Sequence, residues 1–272
     1  MTTAPAAETV DVVVIGSGHN GMVAACYLAR AGRSVVVVER DEVLGGAVST
    51  VERWPGVRVD RGSSAHVMIR HSGIPEELDL AAHGLRYLDC DPWGFAPAPA
   101  PGDDGPDGRP LVFSVDLDAT CASIEAACGP ADAAAYREFV AVWGPRSRAV
   151  VGAFARPPAP LQLLRAFWPL GAPSAGRPRT SGGDLAVDFL GSGDALLDRW
   201  FTSERLKAAL AWFGAQSGPP MSDPGTAAMV GWVALLHDVP PGHPAGGSGG
   251  LTAALRRRLE ADGGEVLLGD GA

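Results

Sequence analysis

The apolar run Val10 to Ile15 is broken only by Asp11 and stops at Gly16. A short run without polar alternation predicts a strand buried on both faces, as in a parallel sheet. Met22, Val23, Ala25, Cys26, Leu28 and Ala29 then recur near helical spacing over Asn20 to Ala31, and Gly32 predicts the stop. Val35 to Val38 is a second unbroken run and predicts a second buried strand ending at Glu39. Strand, helix and strand within about thirty residues predict a βαβ unit with a parallel pair.

Beyond residue 50 the pattern changes. Pro55-Gly56 predicts a turn, and Val57 to Asp60 alternates like a half-wet strand. Arg86 to Cys90, Trp93 to Pro97 and Leu111 to Val115 read as an antiparallel set, with Pro97 to Pro110 as a mobile hairpin loop. Asp116 is placed to cap a helix over 117–127. Tyr136, Phe139, Val140 and Trp143 mark one face of the next helix. Arg156 to Gly183 is proline-broken around a short helical piece at Leu161 to Phe167. Helical patterns return at Asp194 to Trp200, Ser203 to Phe213 and Pro224 to Leu236, and Asp194 reads as an N-cap after the turn Gly191-Ser192-Gly193.

Near the end, Gly246 to Gly250 precedes a helical pattern over Leu251 to Ala261, and Glu265 to Leu268 reads as a strand. A βαβ unit at the start and one helix–strand step at the end predict a discontinuous α/β domain over 1–70 plus 245–272. An α+β insertion over 71–244 would interrupt it.

The loop between the first strand and helix is Gly16-Ser17-Gly18-His19-Asn20-Gly21, a G-x-G-x-x-G pattern. Glycine is abundant here, with 36 residues, so the spacing alone is weak. Its context is specific: a strand leads in, a helix leads out, and Glu39 closes the next strand 23 positions after Gly16. Gly16 permits the tight turn, Gly18 lets main chain approach a pyrophosphate, and Gly21 lets helix and strand pack closely. The helix N-terminus offers N–H groups and a positive dipole end to phosphate. Glu39 is placed to accept from ribose hydroxyls. The fingerprint fits FAD and NAD alike. Arg40 leaves open a third reading, an NADP-binding reductase in which it meets the 2′-phosphate.

Gly45-Gly46 follows shortly after the acid, within Glu39-Arg40-Asp41-Glu42-Val43-Leu44-Gly45-Gly46-Ala47. This segment resembles the N-terminal signature of FAD-dependent oxidoreductases of the glutathione-reductase-like superfamily, with their second diglycine. Ala47 stands where amine oxidases usually carry arginine. Gly18-His19-Asn20-Gly21, Leu44-Gly45-Gly46-Ala47, Pro55-Gly56-Val57-Arg58, His83-Gly84-Leu85-Arg86, Pro224-Gly225-Thr226-Ala227 and Gly246 to Leu251 together are similar to the phytoene-desaturase-like family. The resemblance implies a three-layer Rossmann-like FAD-binding domain interrupted by a substrate domain. It implies FAD held by Gly16, Gly18, Gly21, Glu39, Arg40, Gly45 and Gly46, and hydride transfer from a small hydrophobic substrate to flavin N5. Members of that family are longer, so the chain resembles an N-terminal half. That leaves a second reading, a non-catalytic fragment or split subunit whose C-terminal half is a separate chain. A hydrophobic substrate would also suit peripheral contact with a membrane, although no basic amphipathic helix marks one.

The 272 residues are 46% hydrophobic and 19% charged, the composition of a globular protein with a sizeable core. The net charge of −9 argues against nucleic-acid binding, because little would neutralise phosphate. Cys26, Cys90, Cys121 and Cys128 form no paired motif and read as small hydrophobes in a reducing compartment. With no leader or spanning segment legible, a cytoplasmic protein is expected. His66 and His71 flank Met68-Ile69-Arg70 without metal-ligand spacing, so no metal site is expected. His66 reads as a loop histidine bonded to backbone, or as a polar lining group of the flavin chamber. Trp200, Trp212, Phe213 and Trp232 read as core, or as the lining of a greasy cavity. Arg256 to Arg258 read as a solvated helix face. No acid–base pair or nucleophile stands out as catalytic, which suits chemistry carried by a flavin.

Overall fold

The opening valines form a parallel ladder. In a computed structural model, which describes residues 9–97, 108–154, 156, 157, 159–167, 170 and 182–269, strand β1 (Val12–Ile15) pairs with β2 (Val35–Glu39) from Val12↔Val35 to Ile15↔Val38. Helix α1 (His19–Arg30) makes the crossover, and Gly32, at φ +83°, turns the chain back. On the far side of β2 lies β9 (Glu265–Leu268), also parallel, in register Val36↔Glu265 to Glu39↔Leu268. The sheet order is β1-β2-β9. A strand from the end of the chain therefore completes a sheet begun at its start.

The chain forms two compact units, residues 1–89 with 241–272 and residues 90–240. The first holds the parallel sheet. Met22, Ala25, Cys26 and Ala29 of α1 pack with Leu251, Ala254, Leu255 and Leu259 of α10 (Gly249–Ala261) and with Val35, Val37 and Val266 of the sheet. Cys26 behaves as a core hydrophobe, its thiol donating to the Leu255 carbonyl over 3.2 Å. Leu78, Leu80 and Leu85, beyond α2 (Ile74–Glu77), join the same core. That packing puts residues 71–89 in this unit, whereas the sequence pattern assigns them to the insertion.

The first unit carries two further ribbons. β3 (Thr50–Trp54), which the sequence pattern does not reveal, pairs antiparallel with β4 (Val57–Asp60) across the turn at Pro55-Gly56. β5 (Tyr87–Asp89) pairs antiparallel with β8 (Gly242–Pro244), not with its sequence neighbour β6 (Gly94–Ala96). The expected set of three consecutive antiparallel strands is thereby corrected. β5 has its apolar neighbours in the first core, and the chain leaves that unit after Asp89.

The expectation of a β1 buried on both faces is also corrected. Val13 and Ile15 are 56% and 76% exposed, because α1 and α10 cover one face of the sheet and no described element of the unit covers the other side of β1.

In the second unit β6 and β7 (Leu111–Phe113) form an antiparallel pair. Most of the loop expected between them lies outside the described residues. Asp116 caps α3 (Leu117–Cys128), accepting from the N–H groups of Asp118 and Ala119. Helix α4 (Pro130–Phe154) buries Tyr136, Phe139 and Trp143 completely. Around them lie α5 (Pro160–Phe167), α6 (Gly182–Leu190), α7 (Gly193–Trp200), α8 (Glu204–Ala215), α9 (Ala227–Gly231) and a 3-10 turn over Trp232–His237. Ser192, not Asp194, caps α7, because its hydroxyl accepts from Ala195 N–H while Asp194 falls inside the first turn. Buried Asp132 accepts from Thr202 N, Thr202 Oγ1 and Ser203 N, joining α4 to the start of α8. Trp200 packs edge-on against Phe139, and Phe213 against Trp93, whereas Trp212 is 69% exposed and belongs to no core.

Candidate dinucleotide site

The tip of β1 turns sharply at Gly16, whose φ of +92° lies in the left-handed region that favours glycine. Gly16 N–H still donates to Val38 O over 2.8 Å, so the turn grows directly out of the parallel ladder. Helix α1 begins at His19, with Gly18 as its N-cap residue and no side-chain cap. Its first-turn N–H groups thus have no side chain assigned to them, and the positive end of the helix faces outward.

The glycines divide by what a side chain would meet. A Cβ on Gly21 would stand 2.7 Å from Gly16 O and 3.3 Å from Val14 Cγ1, so that glycine serves the contact between helix and strand. A Cβ on Gly45, at φ +105°, would run into Val48 O and lie 2.6 Å from Thr252 Oγ1. Thr252, on α10, donates to Val48 O over 3.0 Å and fixes the turn that carries the diglycine. Gly18 is different. Its φ of −56° suits any residue, and a Cβ there would meet nothing within 4 Å. Nothing in the packing asks for glycine at position 18; the bare backbone borders open space. Gly46 lies alongside, with a hypothetical Cβ 3.7 Å from Gly18 Cα.

Glu39, at the end of β2, turns toward this loop. Its Oε2 accepts from Ser17 N and from Ser17 Oγ, both at 2.8 Å, and its Oε1 accepts from Asp41 N at 2.9 Å. The N–H groups of Asp41 and Ser17 hold its carboxyl below the usual carboxylate range, so it is ionised at neutral pH. The Ser17 hydroxyl also accepts from Gly45 N at 3.0 Å. A residue that the sequence pattern treats as a free position therefore ties the dinucleotide loop, the acid and the diglycine together. A small hydroxylic residue between the two glycines was the available signal. Gly16, Gly18, Gly21, Glu39, Gly45 and Gly46 come together at one end of the sheet, while the side chain of Arg40 is exposed.

A second polar cluster lies in the same unit. His66 is buried, with Nδ1 2.9 Å from Tyr87 Oη and Nε2 2.9 Å from Ser248 Oγ. The ring's partners are thus side chains, not the backbone expected of a loop histidine, while its main chain bridges Gly242. Burial pushes its pKa down to about 4, so the ring is neutral. Ser248 N donates to Asp60 Oδ1, which also accepts from Thr50 Oγ1, so the glycine-rich segment before α10 is pinned to the β3–β4 ribbon. Arg257 donates to His83 O, and Arg258 pairs with Asp262 at 2.7 Å, so the arginine run is more than a solvated face. Among the described residues no cluster of histidine, cysteine and acid suits a metal ion, and no helix is long and apolar enough to cross a membrane.

Residues 14–74 match the family model of the NAD(P)-binding Rossmann-like domain. Over 94% of its length the chain is 33% identical to pyridine nucleotide-disulfide oxidoreductase domain-containing protein 2 of Rattus norvegicus, and it covers 47% of that protein. It is 37% identical over 129 residues to a limonene dehydrogenase component of Castellaniella defragrans, covering 47% of this chain and 22% of that one. Putrescine oxidase bound to putrescine shares the fold, with a TM-score of 0.54 at 16% identity over 96% of this chain and 51% of the other. The chain thus spans about half the length of the rat relative.

Proposed function

We propose that this chain, a homologue of pyridine nucleotide-disulfide oxidoreductase domain-containing protein 2 with a Rossmann-like dinucleotide-binding fold, is an FAD-dependent oxidoreductase acting on a hydrophobic substrate. The observation that carries the reading is Gly18: bare main chain beside open space, at an uncapped helix N-terminus, with an ionised acid on the neighbouring strand. The first-turn N–H groups of α1 would hold the diphosphate, and the bare backbone at Gly16 and Gly18 would let it approach. Gly46 extends that surface. Gly21 and Gly45 shape it from behind, because their own Cβ directions are filled. Glu39 would accept from the adenosine ribose; its negative charge disfavours a 2′-phosphate and so counts against NADP and the reading built on Arg40. FAD, when bound, supplies the acceptor for a hydride removed from a C–H bond, at flavin N5. The name of the limonene dehydrogenase relative supports an apolar substrate.

The test is direct. The purified chain is expected to show flavin bands in its visible spectrum, or to quench FAD fluorescence on titration, and Gly18→Val to abolish both. A colourless wild-type chain that leaves FAD fluorescence unchanged would reject the reading.

A second reading has its own support. The exposed Val13 and Ile15 on a strand at the sheet's open edge suit a split subunit completed by a partner chain that supplies further strands. Co-expression with the neighbouring reading frame should then yield a complex that retains FAD better than either chain. A monomeric chain that holds flavin unaided would refute it.

A further inference from the structure

We propose that the Ser17 hydroxyl is a positioning group that aims Glu39 at the ribose of the bound nucleotide, leaving on Oε1 one acceptor site for a ribose hydroxyl. This rests on the dinucleotide reading above and adds to it a residue outside the glycine fingerprint.

The direction of the hydrogen bonds decides the matter. Gly45 N–H can only donate, so in that contact the Ser17 oxygen accepts. The single hydroxyl proton is then committed to Glu39 Oε2 at 2.8 Å. Ser17 N–H donates to the same oxygen at 2.8 Å. A carboxylate offers about four in-plane acceptor sites, about two on each oxygen. Both on Oε2 are filled by Ser17, and one on Oε1 is filled by Asp41 N–H. Three contacts on two oxygens fix the carboxylate plane, and the remaining site lies on Oε1. Ser17 is fully buried, so water does not replace its hydroxyl when it is removed. Alanine at position 17 would keep the main-chain donor, strand Gly45 N–H, and free one site on Oε2, letting the carboxylate swing.

A purely structural serine and a positioning serine differ in one measurable respect. If Ser17 only ties the loops together, its loss weakens every nucleotide alike. If it aims Glu39, its loss also erodes the preference for a nucleotide that carries the 2′-hydroxyl. Calorimetric titration of the full chain with ADP and with 2′-deoxy-ADP reads that preference as a ratio of Kd values. Wild type is expected to favour ADP by about 10-fold or more, the usual worth of a hydrogen bond to a charged group. Ser17→Ala is expected to reduce that ratio about threefold or more, and Glu39→Gln to reduce it by a smaller factor in Ser17→Ala than in wild type. A Ser17→Ala protein with weaker binding but an unchanged ratio would overturn the proposal and leave the dinucleotide reading intact. A wild type that binds neither nucleotide would sink both. Should Ser17→Ala lose its cooperative melt, Ser17→Cys, close in size and a weaker donor, reads the same ratio with the same two outcomes.

Discussion

Replacing Gly18 by alanine separates the needs of the fold from those of a ligand. At φ −56° and ψ 154° the Gly18 backbone is open to any residue. Restricting the unfolded chain by Gly→Ala contributes about 0.4–1 kcal/mol of stability. Losing glycine at an N-cap position costs a similar amount, up to about 1 kcal/mol, because alanine is a poor cap. With no atom within 4 Å of the new Cβ, no steric term enters, and the ligand-free protein should keep its stability within about 0.5 kcal/mol. The new methyl would instead stand where the diphosphate approaches. Crowding a close contact by one carbon costs about 1–3 kcal/mol, so FAD should bind about 5- to 150-fold more weakly. Gly21→Ala is the control. Its Cβ would press on Gly16 O at 2.7 Å, a main-chain atom that cannot move aside cheaply, so the ligand-free protein should lose about 1–3 kcal/mol. Thermal melts followed by circular dichroism give the first quantity, and FAD titration followed by flavin fluorescence gives the second. Equal destabilisation of the two variants, or wild-type FAD affinity in Gly18→Ala, would refute the division of the glycines.

His66 titrates near 6.5 unfolded and at about 4 folded, so the unfolded state binds the extra proton in that window. Stability should therefore fall as pH drops from 6.5 to 4, and denaturant melts of His66→Gln should lose much of that slope. Asp132→Ala should cost about 1–3 kcal/mol in a urea titration, because it removes the buried carboxylate that accepts from Thr202 N, Thr202 Oγ1 and Ser203 N. Ile15→Thr should leave melting nearly unchanged, since Ile15 is mostly in solvent. Val37→Thr on the neighbouring strand should cost about 1–3 kcal/mol, because Val37 is fully buried and the new hydroxyl would lie in an apolar core.

The βαβ unit was legible because its signals are local. Unbroken valine runs, a helical period and two glycines fall within forty residues and agree with one another. The return of the chain at Glu265 to Leu268 was legible for the same reason. What escaped was pairing at long range. β5 meets β8 across some 150 residues of chain, and nothing in Arg86 to Cys90 says which partner it takes. β3 carries Glu52 and Arg53 in a strand whose register shifts near its end, so its alternation is spoiled. Ser17 escaped for a chemical reason: a fingerprint read through its glycines is silent about the side chain between them. The N-cap at Ser192 lost to Asp194 in the sequence pattern because both residue types cap well and only the backbone decides which stands outside the first turn.

The burial of β1 departs from its sequence pattern for a reason that bears on function. Val12 to Ile15 has the composition of a strand covered on two faces, yet only one face meets α1 and α10. Parallel sheets rarely leave a face to water, because each residue of such a run loses the burial that justifies its composition. Covering Val13 and Ile15 would contribute about 2–4 kcal/mol, discounted because both are already partly buried. That sum is comparable to a useful part of a domain's net stability. The same strand ends in Gly16, so whatever covers it also steadies the loop proposed to hold the diphosphate. Under the proposed function, cofactor retention and the cover of β1 would be coupled through one four-residue strand. A chain that binds FAD weakly alone and tightly in a complex would follow from that coupling with no new contact to the nucleotide.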